Sequence, residues 1–142
     1  DVKSFGTSIG LSTKVFGDYD LEGNYSFAEE DFDQASAPDF RTNFNTPKHK
    51  VKMSFGNTDV YENLGFNINY RWSDAFFWEG SFADGAVPAF HVFDAQVNYR
   101  IPSWKSTIKA GGTNIGGKEY YTAYGTGLIG QIYYVSFIYN SL

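Results

Sequence analysis

The 142-residue chain has a formal net charge of −5, which argues against a basic nucleic-acid-binding surface, and no cysteine, which excludes a disulfide framework and any cysteine metal site. Aromatic residues make up 20% of the chain and charged residues only 19%, a balance foreign to most soluble domains. With a mean hydropathy of −0.35 and apolar runs only a few residues long, no segment supplies the ~20 apolar residues of a spanning helix. A transmembrane barrel stays open, because its strands alternate apolar and polar side chains.

Alternation with period two recurs seven times and predicts seven strands. Residues 2–15 place Phe5, Ile9, Leu11 and Val15 opposite Ser4, Ser8, Ser12 and Lys14. In the second run Tyr19, Leu21, Gly23, Tyr25 and Phe27 alternate with Asp20, Glu22, Asn24 and Ser26. Val51, Met53 and Phe55 then alternate with Lys50, Lys52 and Ser54. The pattern is cleanest at 64–73, where Leu64, Phe66, Ile68, Tyr70 and Trp72 oppose Gly65, Asn67, Asn69, Arg71 and Ser73. Residues 91–101 repeat it, His91, Phe93, Ala95, Val97, Tyr99 and Ile101 facing away from Val92, Asp94, Gln96, Asn98 and Arg100. At 104–113, Trp104, Ile108 and Ala110 oppose Lys105, Thr107 and Lys109. The last run sets Tyr133, Val135, Phe137 and Tyr139 against Ile132, Tyr134, Ser136 and Ile138.

No window carries a helical period, so the fold class is all-β, an antiparallel meander of about seven strands. Short connections near 16–18, 57–62 and 102–104 contain Gly17-Asp18, Gly56-Asn57 and Pro102-Ser103, and they alternate with long ones at 28–47, 79–89 and 114–130. Short turns at one end and long loops at the other is the asymmetry of transmembrane barrels. A soluble sandwich also alternates, but its outer face is rich in Lys, Glu and Asp. Here the polar faces run to Asn, Ser, Thr and Gly, as suits a wet lumen wall. Aromatics gather at strand ends, Trp72, Phe76, Phe77 and Trp78 at one side and Trp104 at the other, where interfacial girdles form.

Motifs with catalytic or ligand chemistry are thin. Gly112 to Lys118 matches GxxxxGK, yet the position that must offer a hydroxyl to Mg²⁺ is Glu119, whose charge repels phosphate. Glu29, Glu30, Asp31 and Asp33 form an acidic run without the D-x-D-x-D-G spacing of a calcium loop, and read as a solvated loop. His49 and His91 lie on different strands, and no G-x-S-x-G elbow is present. Nothing supports an enzyme, a metal or a cofactor.

Three stretches resemble TonB-dependent receptors. NTPKHK at 45–50 is similar to the segment after a long extracellular loop in the glycan- and peptide-importing branch. GGTNIGGKEYY at 111–121 resembles the element after the penultimate strand, and IGQIYYVSFIY at 129–139 the terminal strand. VKSFGTSIGLS at 2–12 and LEGNYSF at 21–27 are similar to paired strands upstream of that loop.

The resemblance implies that residues 1–142 form the C-terminal portion of a barrel of about 22 strands in the bacterial outer membrane, the plug lying outside them. Seven strands cannot close such a barrel, so the chain is expected to be part of a larger chain or assembly. Uptake of a glycan, peptide or metal chelate is the implied function. A soluble or secreted binding module and a small outer-membrane pore are the alternatives. The implied partners are outer-membrane lipid, the rest of the barrel and plug, a TonB-type energy-coupling protein and a surface lipoprotein, with no nucleic acid. Expected lumen-facing residues are Glu22, Asn24, Lys50, Lys52, Asn67, Asn69, Arg71, Asp94, Gln96, Asn98, Arg100, Lys105 and Lys109. Gly130, Tyr133, Val135, Phe137 and Tyr139 are expected to carry the terminal-strand assembly signal.

Overall fold

The computed structural model describes residues 1–140. Nine strands follow in chain order: β1 (Lys3–Val15), β2 (Tyr19–Asp31), β3 (His49–Tyr61), β4 (Leu64–Ser73), β5 (Phe76–Trp78), β6 (Gly85–Val87), β7 (Phe90–Ile101), β8 (Ser106–Thr113) and β9 (Ile132–Tyr139). Seven of them make one antiparallel sheet in the order β1-β2-β3-β4-β7-β8-β9, and β5 and β6 form a separate hairpin. Apart from two single-turn 3₁₀ segments, the described residues contain no helix.

Register carries the alternation across the whole sheet. Asn24 lies opposite Lys52, which lies opposite Arg71. Asn67 lies opposite Gln96, Gln96 opposite Gly111, and Gly111 opposite Tyr134. Because partners in a ladder project to the same side, these rows put every polar set on one face and every apolar set on the other. A slip of one residue in any strand would reverse its faces.

The apolar face has no cover. Ile9 is 71% exposed and Val135 78%, and Met53, Ile68, Phe93 and Phe137 are exposed beside them. Val87 and Val92 are the only hydrophobic side chains buried to a core level among the described residues. A sandwich packs one face of each sheet against the other, whereas this sheet has no second layer on its apolar face. Aromatic ladders run along that face instead. Tyr70 and Phe93 sit with ring centroids 4.7 Å apart, and Tyr19, Phe55 and Phe66 form a three-ring group near the short turns.

Several boundaries differ from the sequence expectation. The second strand continues through Glu29, Glu30 and Asp31, because β1 offers a partner as far as Lys3; three of the four acidic residues are therefore strand, and only Asp33 lies beyond it. The turn expected at 57–62 is narrower. β3 passes a bulge between Asn57 and Tyr61 and ends in a turn at Glu62 and Asn63, both with positive φ (41° and 75°), the backbone that two-residue hairpin turns require. The Asn57 side chain accepts the Asp59 N–H at 2.7 Å, a local bond that mimics turn chemistry inside the strand. Gly65 stands opposite the bulge, where a Cβ would meet the Thr58 carbonyl oxygen at 2.6 Å. The segment expected as a bare loop at 79–89 holds β6, and with β5 makes the hairpin.

Lys105 is a further correction. It lies in the turn after the 3₁₀ segment Pro102–Trp104, with φ 48°, and β8 begins one residue later at Ser106. Pro102 sets the tight turn, and the left-handed residue that leaves it takes Lys105 out of the alternation. Gly130 likewise precedes β9 and does not belong to it.

Candidate functional site

The twelve other polar candidates all lie on strands and share the polar face. Across it the side chains tie neighbouring strands together. The Asn24 amide donates to Ser8 Oγ at 2.9 Å and the Asn67 amide to Ser54 Oγ at 3.1 Å, while within β4 the Asn69 amide donates to Asn67 Oδ1 at 2.6 Å. The Tyr134 hydroxyl donates to Gln96 Oε1 at 2.9 Å. Arg71 pairs with Asp94 at 3.0 Å, and Arg100 with Asp59 at 2.5 Å. Glu22, Lys50, Lys52 and Lys109 are in no ion pair among the described residues. An open groove of about 600 Å³ follows this face past Glu22, Asn24, Lys52, Asn69, Arg71 and Asp94.

In a meander the connections after β2, β4 and β8 must emerge at the same end. Here they also bind one another. Asn45 and Glu79 are joined twice, the Asn45 amide donating to the Glu79 carbonyl and its oxygen accepting the Glu79 N–H, both at 2.7 Å. Arg41 donates to the Gly80 carbonyl and pairs with Asp84 at 2.8 Å. From the other side the Tyr121 hydroxyl donates to the Ala86 carbonyl at 3.0 Å, and Tyr120 stacks on Phe90 with centroids 4.6 Å apart. The β5–β6 hairpin is thus the centre of a cap made by all three long connections.

The two motifs that suggested a family hold this cap. In NTPKHK, Asn45 makes the pair of hydrogen bonds to Glu79, and Pro47 is buried. In GGTNIGGKEYY, Asn114 is 1% exposed with φ 53°; its N–H reaches Asp94 Oδ1 at 3.0 Å and its amide reaches the Lys118 carbonyl at 3.0 Å. The GxxxxGK stretch is therefore a turn closed by Asn114, and among the described residues no helix follows it to present backbone N–H groups to a phosphate.

The acidic run is dispersed. Glu29 pairs with Lys48 at 2.6 Å, Glu30 projects to the opposite face and accepts the Thr42 hydroxyl, and Asp33 caps the first 3₁₀ segment through the Ala35 N–H. Among the described residues no three His, Cys, Asp or Glu side chains gather as metal ligands.

The family model described as TonB dependent receptor-like, beta-barrel matches residues 1–115. The chain belongs to this family. No curated protein matches it. The matched span runs from β1 through β8 and ends just past Asn114, so the register that pairs β9 with β8 extends the same wall beyond it. In a TonB-dependent receptor the barrel lies in the bacterial outer membrane around a plug, and the protein is a transporter coupled to a TonB-type partner. The open seven-stranded sheet is a portion of such a barrel wall, and the soluble-module alternative gives way to it.

Asn45, Tyr120 and Tyr121 lie in the two motifs, but the sequence did not point to the other residues that build the cap. Arg41, Thr42 and Glu79 carry no periodic signal, and their partners stand 12 to 43 residues away along the chain. The one usable signal was FFW and GAV around Gly80-Ser81-Phe82-Ala83-Asp84, two short β-prone runs about a Gly- and Asp-containing turn.

Proposed function

We propose that residues 1–142 are the C-terminal portion of a receptor of the glycan- and peptide-importing branch, with the plug N-terminal to them, and that the receptor takes up a glycan, peptide or metal chelate. In this reading the apolar face meets lipid, the polar face lines the lumen, and the cap over the polar face is the extracellular end where ligand first binds. The observation that carries the reading is the joining of all three long connections at one end of a sheet whose polar face is continuous. Energy for uptake comes through the TonB-type partner, and a surface lipoprotein is a candidate lid over the cap. Tyr133, Val135, Phe137 and Tyr139 on β9 serve as the assembly signal, entered through Gly130.

The test is uptake by intact cells carrying the full receptor, measured as depletion of a mixed glycan and peptide supply with and without a protonophore. The expected result is energy-dependent uptake that disappears when the 32–48 connection is shortened while the barrel still assembles. Uptake indifferent to both the protonophore and the shortened connection would contradict the reading.

A further inference from the structure

Two adjoining cavities under the cap carry opposite charge. The first, about 260 Å³, is walled by the rings of Phe32, Phe44, Phe76 and Phe77 and contains Glu30, Glu79 and Thr42. Oε2 of Glu30 and Oε2 of Glu79 lie 2.6 and 3.4 Å from the same Thr42 hydroxyl. A hydroxyl has one proton to give and cannot neutralise either carboxylate. Glu79 also accepts the Asn43 N–H at 2.8 Å, but neither carboxylate meets a cation among the described residues. Two anions brought to one point in a half-buried, ring-walled space favour a positive charge between them.

The second cavity, about 250 Å³, is lined by Lys50, Lys52, Arg71, Phe90 and Tyr120. Lys52 and Arg71 stand directly opposite in the ladder, where like charges repel. Arg71 has Asp94 as a partner, whereas Lys50 and Lys52 have no carboxylate among the described residues. Asn45 and Phe76 line both cavities, so the acidic and basic chambers share one wall.

We infer that the two chambers form a single site for a ligand bearing an ammonium or guanidinium at one end and a carboxylate at the other, the chemistry of a short zwitterionic peptide. The inference rests on the reading of the cap as the ligand-binding end and narrows the ligand class. Four phenyl rings stand in the wall of the acidic chamber beside Glu30 and Glu79, and phenyl faces attract organic cations. A neutral glycan brings a counter-charge to neither chamber.

The experiment is retention by the full receptor in detergent, read by mass spectrometry after ultrafiltration. The probes are an elastase digest of casein, the same digest acetylated at its amines, the same digest methyl-esterified at its carboxyls, and a pool of neutral oligosaccharides. The untreated digest should be retained, and each modification should lower retention about tenfold or more, as loss of one buried charge partner does. The double variant Glu30→Gln, Glu79→Gln should hold the untreated digest no better than the unaltered receptor holds the acetylated one. Lys50→Met with Lys52→Met should match the esterified digest in the same way. Equal retention of the three digests, or retention of none, would overturn the inference, and this comparison needs no variant to fold. Retention of the oligosaccharides alone, unmoved by the four substitutions, would overturn it while leaving the uptake reading in place; loss of energy-dependent uptake would strike that reading itself.

Discussion

Asn45 holds Glu79 by both of its backbone groups, donating to the carbonyl and accepting from the N–H at 2.7 Å each. The side-chain amide does for the hairpin what a neighbouring strand does in a ladder. Both are half-buried, so neither backbone group is readily repaid by water when the amide is lost. Asn45 itself has φ 46°, a conformation that Asn tolerates better than most residues.

Replacing Asn45 with Ala should therefore loosen the cap and spare the sheet. The expected cost is about 1–3 kcal/mol, confined to the hairpin, from two orphaned backbone groups. Hydrogen exchange should quicken at 76–87 while β2, β3 and β4 keep their protection. Uniform loss of protection across those strands would show that the amide supports the wall as well.

Asp94 divides its two oxygens between Arg71 and the Asn114 N–H, and so ties the polar wall to the start of the connection that carries Tyr120 and Tyr121. Its side chain is 19% exposed, so water replaces it poorly. Asp94→Ala should cost about 1.5–3 kcal/mol, the range for a hydrogen bond to a charged group, and should free residues 114–121 to exchange. Asp94→Asn, which keeps an acceptor, should restore part of that protection. Equal exchange in the two variants would contradict the linking role.

Much of this was legible in the sequence because period two is a local property. Phe66, Ile68 and Tyr70 against Asn67, Asn69 and Arg71 needed no partner to be read, and register then set the other strands on the same two faces. What failed depended on distant pairing. Glu29, Glu30 and Asp31 look like a loop until β1 supplies an edge opposite them. Asn57, Thr58 and Asp59 look like a turn, and their local hydrogen bond is real, but Tyr61 rejoins the ladder against Leu64. Lys105 was displaced by a turn one residue longer than Pro102-Ser103 announces. The motifs held Asn45, Tyr120 and Tyr121, but the bonding of the cap was invisible because it joins three connections that no local pattern relates.

The two faces also differ in what they can absorb. Ile68 lies in mid-strand on the apolar face and is exposed, whereas Asn69 beside it faces the polar side. Arg at Ile68 should destabilise the full receptor in lipid vesicles by about 2–4 kcal/mol, the cost of a guanidinium at the bilayer midplane. Arg at Asn69 loses the amide bond to Asn67 but stands opposite Asp94, and should cost only about 0.5–1.5 kcal/mol, the net worth of one hydrogen bond. Urea titration of tryptophan fluorescence measures both. Similar costs at the two positions would mean that they share an environment.

The most direct test of the wall itself is the access of single nitroxide labels to oxygen and to a water-soluble nickel chelate, in the full receptor reconstituted into lipid bilayers. Labels at Ile68 and Val97 should favour oxygen, and labels at Asn67 and Gln96, one residue away on the same strands, should favour the chelate. Equal preference at the four positions, or the reverse order, would contradict a sheet whose apolar face meets lipid and whose polar face lines the barrel.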